Sequence, residues 1–147
     1  MSPPSLRLAA RRVGRPRRRA AINSSAALEP KIVAVVDHDP GIRRATARLL
    51  SAFGFVAETF DSAGAFLNAT ASRKAACLVI DIQIGGMTGV DLSQRLAAGG
   101  CKCPIIFTST LDDQRTRSDA AAAGGVACLH KPFPVDLLIE TVIKAIG

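Results

Sequence analysis

The stretch CLVIDIQIGGMTGVDL, residues 77–92, decides the fold. It begins with four apolar residues without polar alternation and then reaches Asp81. A strand that is apolar along its whole length suits a parallel sheet covered on both faces. The segment 89–98 that follows suits a helix. The stretch therefore predicts a buried strand, a loop and a helix, with a carboxylate where the strand ends.

The same alternation extends in both directions from this stretch. We expect strands at 32–37, 55–60, 77–81, 104–109 and 126–130, and helices at about 40–53, 62–70, 89–98, 112–123 and 134–146. Apolar residues at helical spacing predict the core-facing stripes Ile42, Ala45, Leu49 and Phe53 in the first helix and Leu138, Val142 and Ile146 in the last. Five strand-then-helix units predict the α/β class, as a doubly wound five-stranded parallel sheet with right-handed crossovers.

The positive charge lies in a short N-terminal segment. The chain has 147 residues and a formal net charge of +7, and residues 1–31 hold eight basic side chains against one acidic side chain. The rest of the chain is formally neutral, so the overall charge is no evidence that the main domain binds nucleic acid. We predict a basic, disordered extension at 1–30 and one domain at 31–147.

Part of the extension is similar to a DNA-binding motif. Residues 14–19 read Gly-Arg-Pro-Arg-Arg-Arg and resemble the core of an AT-hook, except that Val13 takes the place of the first arginine. Contact with nucleic acid is expected only here. The alternatives are an extension without specific function and a start codon placed upstream of the true one.

Composition excludes several other classes of protein. No apolar run approaches the length of a membrane span, and arginines interrupt any secretory signal. The four cysteines include no C-x-x-C pair, which disfavours structural zinc and favours reduced thiols packed in a core. We therefore expect a cytoplasmic protein with no membrane partner.

Polar side chains follow four of the predicted strands. They are Asp37, His38 and Asp39 after the first, Asp81 after the third, Ser109 between Thr108 and Thr110 at the fourth, and His130, Lys131 and Pro132 at the fifth. Two carboxylates about 4 Å apart repel by roughly 4 kcal/mol at an effective dielectric near 20. Lys131 supplies one positive charge, and Mg²⁺ would complete the balance. Such a group of side chains suits phosphoryl transfer.

These segments resemble a known family. The order V-V-D, C-L-V-I-D-I-Q-I-G-G-M-T-G-V-D-L, P-I-I-F-T-S and K-P-F is similar to the flavodoxin-like receiver domain of two-component response regulators. Asp81 is separated from Asp37, Ser109 and Lys131 by 44, 28 and 50 residues, as that family requires. Within the family, the chain most resembles receivers of regulators with a LuxR-type helix-turn-helix domain, of the nitrogen-fixation type.

The resemblance implies a role for each matched residue. Asp81 would be the phospho-acceptor and would share Mg²⁺ with Asp37, while Ser109 and Lys131 would contact the phosphoryl group. It also implies a cis peptide at Pro132 and positions that tune the phosphoryl lifetime at Gln83 and Leu111. The implied partners are a histidine kinase or a histidine phosphotransfer protein, and a second copy bound through the fourth helix, fifth strand and fifth helix.

Three residues depart from the family pattern. His38 replaces the second acidic residue, which predicts weakened Mg²⁺ binding, because imidazole suits softer metals. Asp39 either assists the metal or caps the first helix with Pro40 at its first position. Gly85 replaces a proline and should loosen the loop after Asp81. Cys128 occupies the aromatic switch position, so its coupling to Ser109 should differ.

Three functional hypotheses remain open at this point. The first is a single-domain response regulator whose own phosphorylation is its only reaction, since no output domain is expected after Gly147. The second is a degenerate receiver that binds partners without phosphorylation. The third is a protein associated with DNA through its basic extension, with the receiver controlling dimerisation.

Overall fold

Apolar strands alternate with helices throughout the residues that the computed structural model describes, 29–69 and 74–147. Its strands are β1 (Ile32–Val36), β2 (Val56–Phe60), β3 (Cys77–Asp81), β4 (Ile105–Ser109) and β5 (Ala127–His130). Its helices are α1 (Pro40–Ala52), α2 (Ala63–Leu67), α3 (Gly89–Ala98), α4 (Gln114–Ala122) and α5 (Val135–Ile146). Residues 1–28 of the predicted basic extension, which include its AT-hook-like segment, lie outside the described residues. Among the helices described, none combines the length and apolarity that crossing a bilayer requires.

The strands form one parallel sheet in the order β2-β1-β3-β4-β5, which confirms the predicted doubly wound α/β fold. After β2 the chain crosses back over β1 to begin β3, so strand order reverses between β1 and β3. In open sheets of this kind, ligands bind beyond the carboxyl ends of the strands at such a reversal. Asp37 and Asp81 lie at these two strand ends.

A separate apolar core covers each face of the sheet. One core joins β-strand residues to α2, α3 and α4 through Phe66, Leu92 and Ala120. The other joins them to α1 and α5 through Leu50 and Leu138. Every residue of β3 is buried, as its uninterrupted apolar sequence predicts.

The predicted core-facing stripe of α1 is wrong at two of its four residues, since Ile42 and Leu49 are half-buried and Leu49 packs against the core. Thr46 and Leu50 are the buried residues of this helix, whereas Ala45 and Phe53 are exposed. A helical period shows that a helix has an apolar face but not which surface covers that face. The predicted stripe of α5 is largely right, because Leu138 and Val142 are fully buried.

Two predicted helix boundaries also differ from the structure. Helix α2, predicted at 62–70, ends at Leu67, with Asn68 as its C-cap. Helix α4, predicted from 112, begins at Gln114 because the Asp113 carboxylate accepts a hydrogen bond from Thr116 N at 2.7 Å and serves as its N-cap.

Candidate functional site

Asp81 lies at the centre of the candidate site. It ends β3 and is only 2% exposed. Its Oδ1 accepts a hydrogen bond from Gln83 N at 3.0 Å, and its Oδ2 lies 3.2 Å from Lys131 Nζ. A carboxylate buried this deeply is stable as an anion only with such partners.

Asp37 follows β1 and is also buried. Its Oδ1 accepts a hydrogen bond from Asp39 N at 2.9 Å, and its Oδ2 accepts one from Lys131 Nζ at 2.8 Å. Arg43 donates through Nη1 to the Asp37 carbonyl at 2.8 Å and thereby holds the loop from the side of α1. Sequence reasoning missed Arg43, because a basic residue on an amphipathic helix carries no signal of such a contact.

Lys131 places one ammonium between these two carboxylates. It is 9% exposed and follows β5, and its peptide bond to Pro132 is cis. Two carboxylates and one ammonium leave a net negative charge in a site shielded from water. A divalent cation would be attracted to this site by Coulomb forces that water screens only weakly.

His38 adds a third potential metal ligand. Its Nδ1 lies 3.5 Å from Asp81 Oδ2, and its side chain is 60% exposed at the rim of the site. One ligand atom from each of Asp37, His38 and Asp81 lies within 4.8 Å of the other two. The two carboxylates are hard oxygen donors that suit Mg²⁺, whereas an imidazole nitrogen suits transition metals better.

Asp39 is not a member of this group of three. Its Oδ1 accepts hydrogen bonds from Gly41 N at 2.8 Å and Ile42 N at 3.1 Å, so the carboxylate caps α1. The hydrogen bond from Ile42 is the main reason that the pKa of Asp39 is lowered. Two roles were predicted for Asp39, and in the structure its carboxylate caps α1.

Ser109 is linked to Gln83 rather than directly to the carboxylates. Its Oγ donates to Gln83 Oε1 at 3.2 Å and accepts from Leu111 N at 2.9 Å. Ser109 is fully buried at the end of β4, while the Leu111 side chain is half exposed. The two positions that the resemblance assigns to lifetime tuning thus both bond to this hydroxyl, Gln83 through its side chain and Leu111 through its backbone amide.

The loop after Asp81 returns close to the strand. Gly89 N donates to the Ile82 carbonyl at 2.8 Å, and a Cβ at Gly89 would come within 2.6 Å of the Asp81 carbonyl oxygen. Only glycine fits this close approach. Gly85, where the family has proline, has open space around it. Ile84, which is 3% exposed, anchors the loop in the core.

The cysteines lie apart from the carboxylates. Burial raises the pKa of Cys77 to about 12 and that of Cys103 to about 11. Cys103 also donates through its thiol to the Ala75 carbonyl at 3.2 Å. Burial likewise raises the pKa of Cys128 on the edge strand β5, where the family has an aromatic ring. Raised pKa values favour neutral thiols that pack in the core and react slowly.

A mainly apolar groove of ≈ 460 Å³ adjoins the site. It lies between α1 and the segment that connects β5 to α5, and its lining includes Ile42, Ala45, Leu49, Lys131 and Phe133. Three of the four residues predicted to face the core from α1 therefore line this open groove, and one of them, Leu49, also packs against the core.

Comparison with known proteins gives a consistent result for sequence and fold. A family model described as the response regulator receiver domain matches residues 33–143. The transcriptional regulatory protein TdiR of Thauera aromatica is 33% identical over 115 residues, which cover 78% of this chain and 51% of TdiR. The transcriptional regulatory protein FixJ of Bradyrhizobium diazoefficiens is 33% identical over 112 residues, which cover 76% of this chain and 55% of FixJ. The chain thus spans about half the length of these relatives.

A solved structure supports the same comparison. The crystal structure of a response regulator receiver protein from Burkholderia phymatum is 40% identical and superposes with a TM-score of 0.71. The match covers 80% of this chain and 95% of that protein's chain. The likeness therefore extends over nearly the whole of a structure solved as a receiver.

Proposed function

This chain belongs to the response regulator receiver domain family of two-component systems, and on that premise we propose that Asp81 accepts a phosphoryl group from a histidine kinase or a histidine phosphotransfer protein. Receivers are signalling domains that interact with such proteins. The observation that carries the proposal is the position of the Lys131 ammonium, 3.2 Å from Asp81 Oδ2 and 2.8 Å from Asp37 Oδ2.

The transfer uses few chemical groups. An oxygen of Asp81 forms a bond to phosphorus while the bond from phosphorus to the donor's histidine nitrogen breaks, and that nitrogen keeps the electron pair. Lys131 can leave the carboxylate and pair with a phosphoryl oxygen. The Ser109 hydroxyl can turn its proton from Gln83 to another phosphoryl oxygen, since the bond that it donates is a neutral one of 3.2 Å.

Mg²⁺ is the cation that the family uses, and Asp37 and Asp81 would hold it here. When bound, it neutralises charge on the phosphoryl oxygens. Asp39 is engaged in capping α1, so its carboxylate would have to release two backbone amides to assist.

The groove beside α1 is the surface that we assign to the phosphodonor. It is mainly apolar and open, and its lining includes Lys131, whose ammonium lies 3.2 Å from Asp81 Oδ2, so a donor bound there would adjoin Asp81. Burial of apolar side chains would be the main favourable contribution to such binding. Output would pass through α4, β5 and α5, and a second copy is one partner for that surface.

Phosphorylation-independent binding is the second candidate function. Cys128 favours it, because a small thiol in β5 has no ring that could follow Ser109 inward. Association with DNA through residues 1–30 stays a prediction, as does a cytoplasmic location.

Acetyl phosphate distinguishes the two main candidates. In the presence of Mg²⁺, and in parallel of Mn²⁺, we expect the intact protein to gain the mass of one phosphoryl group, and hydroxylamine should remove it. Asp81→Asn should abolish the gain, whereas the control Asp136→Asn, at the exposed start of α5, should retain it. Folded protein that gains no phosphoryl group would contradict phosphoryl acceptance and favour the binding scaffold.

A further inference from the structure

We propose that this pocket prefers divalent transition ions of the series from Mn²⁺ to Zn²⁺ over Mg²⁺, and that His38 is the residue that sets the preference. The cation preference rests on the proposed function, because the same pocket would serve phosphoryl transfer. It is nevertheless measurable without any phosphodonor. Three features of the site carry it, namely a convergent donor set, an engaged alternative ligand and a mismatch with Mg²⁺.

The donor set converges on one point. Asp37 and Asp81 are buried, and His38 Nδ1 lies 3.5 Å from Asp81 Oδ2 at the open side of the pocket. A ligand atom from each residue lies within 4.8 Å of the others. Two carboxylates and one imidazole on neighbouring strand ends are a donor set that transition metals bind well.

The nearest alternative oxygen ligand has another role. Asp39 adjoins His38 in the chain, but its carboxylate accepts from Gly41 N and Ile42 N. Recruiting it to a metal would leave the first amides of α1 without that cap. His38 is therefore the third ligand that is available without a change in the helix.

The chemistry of Mg²⁺ fits this set poorly. Mg²⁺ prefers oxygen ligands and loses its water reluctantly, whereas imidazole strengthens binding along the series towards Zn²⁺. Lys131 repels every divalent cation in the same way, because its effect depends on charge alone. The difference between cations must therefore come from His38.

Cobalt absorption provides the test, with Co²⁺ as the probe and Mg²⁺ as the competitor on the full chain without phosphodonor. We expect Co²⁺ to bind with a spectrum typical of nitrogen and oxygen ligands. In His38→Asp, Mg²⁺ should bind more tightly and the Co²⁺ over Mg²⁺ affinity ratio should fall at least about tenfold. His38→Ala should weaken Co²⁺ binding.

The other histidine gives a matched control. His130 Nε2 lies 3.2 Å from the Thr110 carbonyl oxygen, and its side chain is outside the group of three. His130→Ala should therefore leave the Co²⁺ over Mg²⁺ ratio within twofold of wild type. Circular dichroism of each variant verifies that it is folded before the cations are compared.

Two results would overturn the proposal. One is an affinity ratio that is unchanged in His38→Asp, which would mean that the imidazole does not select the cation. The other is Co²⁺ absorption with a thiolate charge-transfer band that His38→Ala does not alter, which would place the ion at the cysteines. Phosphorylation of Asp81 is measured separately with acetyl phosphate. The cation affinities are measured without a phosphodonor, so they hold whether or not Asp81 accepts a phosphoryl group.

Discussion

Lys131 Nζ lies 2.8 Å from Asp37 Oδ2 although 94 residues separate them in the chain. Strands β3 and β4 lie between the strands that carry the two residues. The lysine side chain therefore reaches across the carboxyl edge of the sheet and passes Asp81 on the way. A single ammonium thus offsets the repulsion between two buried carboxylates, so we expect both the stability of the domain and the proposed phosphoryl transfer to depend on Lys131.

Lys131→Ala should lower the free energy of unfolding by about 3 kcal/mol, since it leaves two buried carboxylates without their cation. Mg²⁺ should recover part of the loss by supplying positive charge. Urea denaturation with and without Mg²⁺ measures both effects. The control Lys144→Ala removes an exposed lysine near the end of α5 and should change stability by less than about 0.5 kcal/mol. Equal stability of the two variants would contradict the role assigned to Lys131.

Gln83→Leu should speed the reaction of Asp81 with acetyl phosphate about two- to fivefold, because it removes the amide oxygen that now holds the Ser109 hydroxyl. Phosphorylation followed by intact mass gives the rate. The effect should vanish in a Ser109→Ala background, where the hydroxyl is already missing. Gln94→Leu, an exposed change on α3, is the matched control, and an equal acceleration there would argue against the bond.

The positions of the site residues were predictable because parallel strands bring their carboxyl ends to one edge of the sheet. Runs such as 77–80 and 105–107 are apolar and short, so the polar residues that follow them had to meet. Asp37, Asp81 and Lys131 came together for that reason. The fold class and the strand positions followed from the same pattern.

The remaining details depend on contacts between residues distant in the chain. The Gln83–Ser109 hydrogen bond joins a loop to a strand 26 residues away, and no periodicity encodes it. The apolar face of α1 was visible as a pattern, but the surfaces that meet it were not, so Leu49 was assigned to the core alone, whereas it packs against the core and also lines a groove. Likewise, the sequence left open whether Asp39 caps the helix or binds a metal, and only the geometry of α1 decides between the two roles.

Asp39→Asn should lower stability at neutral pH, and the difference from wild type should disappear in acid. The pKa of Asp39 lies below its ordinary value of 3.8, chiefly because Ile42 N donates to the carboxylate. A lowered folded-state pKa contributes stability above the unfolded-state pKa and loses it as the pH falls through the folded value. Urea titrations from pH 7 to below about pH 4 check this. Asp39→Ser, a neutral cap, should behave like Asn, and a gap that does not change with pH would refute the assignment.

Cys77 should resist alkylation in the folded protein. Because burial raises its pKa from 9.0 to about 12, its thiolate population near pH 8 falls roughly a thousandfold, and access is blocked as well. Iodoacetamide labelling read by peptide mass should modify Cys77 only after urea unfolds the domain. Labelling of Cys77 at the same rate in native and unfolded protein would contradict a closed core at the start of β3.

Leu49→Arg should separate docking from chemistry. Leu49 lines the groove between α1 and the segment after β5. It takes no part in the hydrogen bonds that position the Asp37 and Asp81 carboxylates. An arginine there would remove the apolar area that a partner helix would bury, a loss of about 1.5 kcal/mol, at the low end for a leucine because Leu49 is already half-buried in the free protein.

Phosphoryl transfer from a phosphorylated histidine kinase or phosphotransfer protein should therefore slow by about tenfold or more. Transfer from acetyl phosphate should stay within twofold, because a small donor needs no docking surface. Ile143→Arg replaces an exposed apolar residue of α5 outside the groove lining and should leave both rates unchanged. If Leu49→Arg slowed both donors equally, the groove would act on the pocket itself and not as a docking surface. If it slowed neither, the protein donor would approach Asp81 from another side.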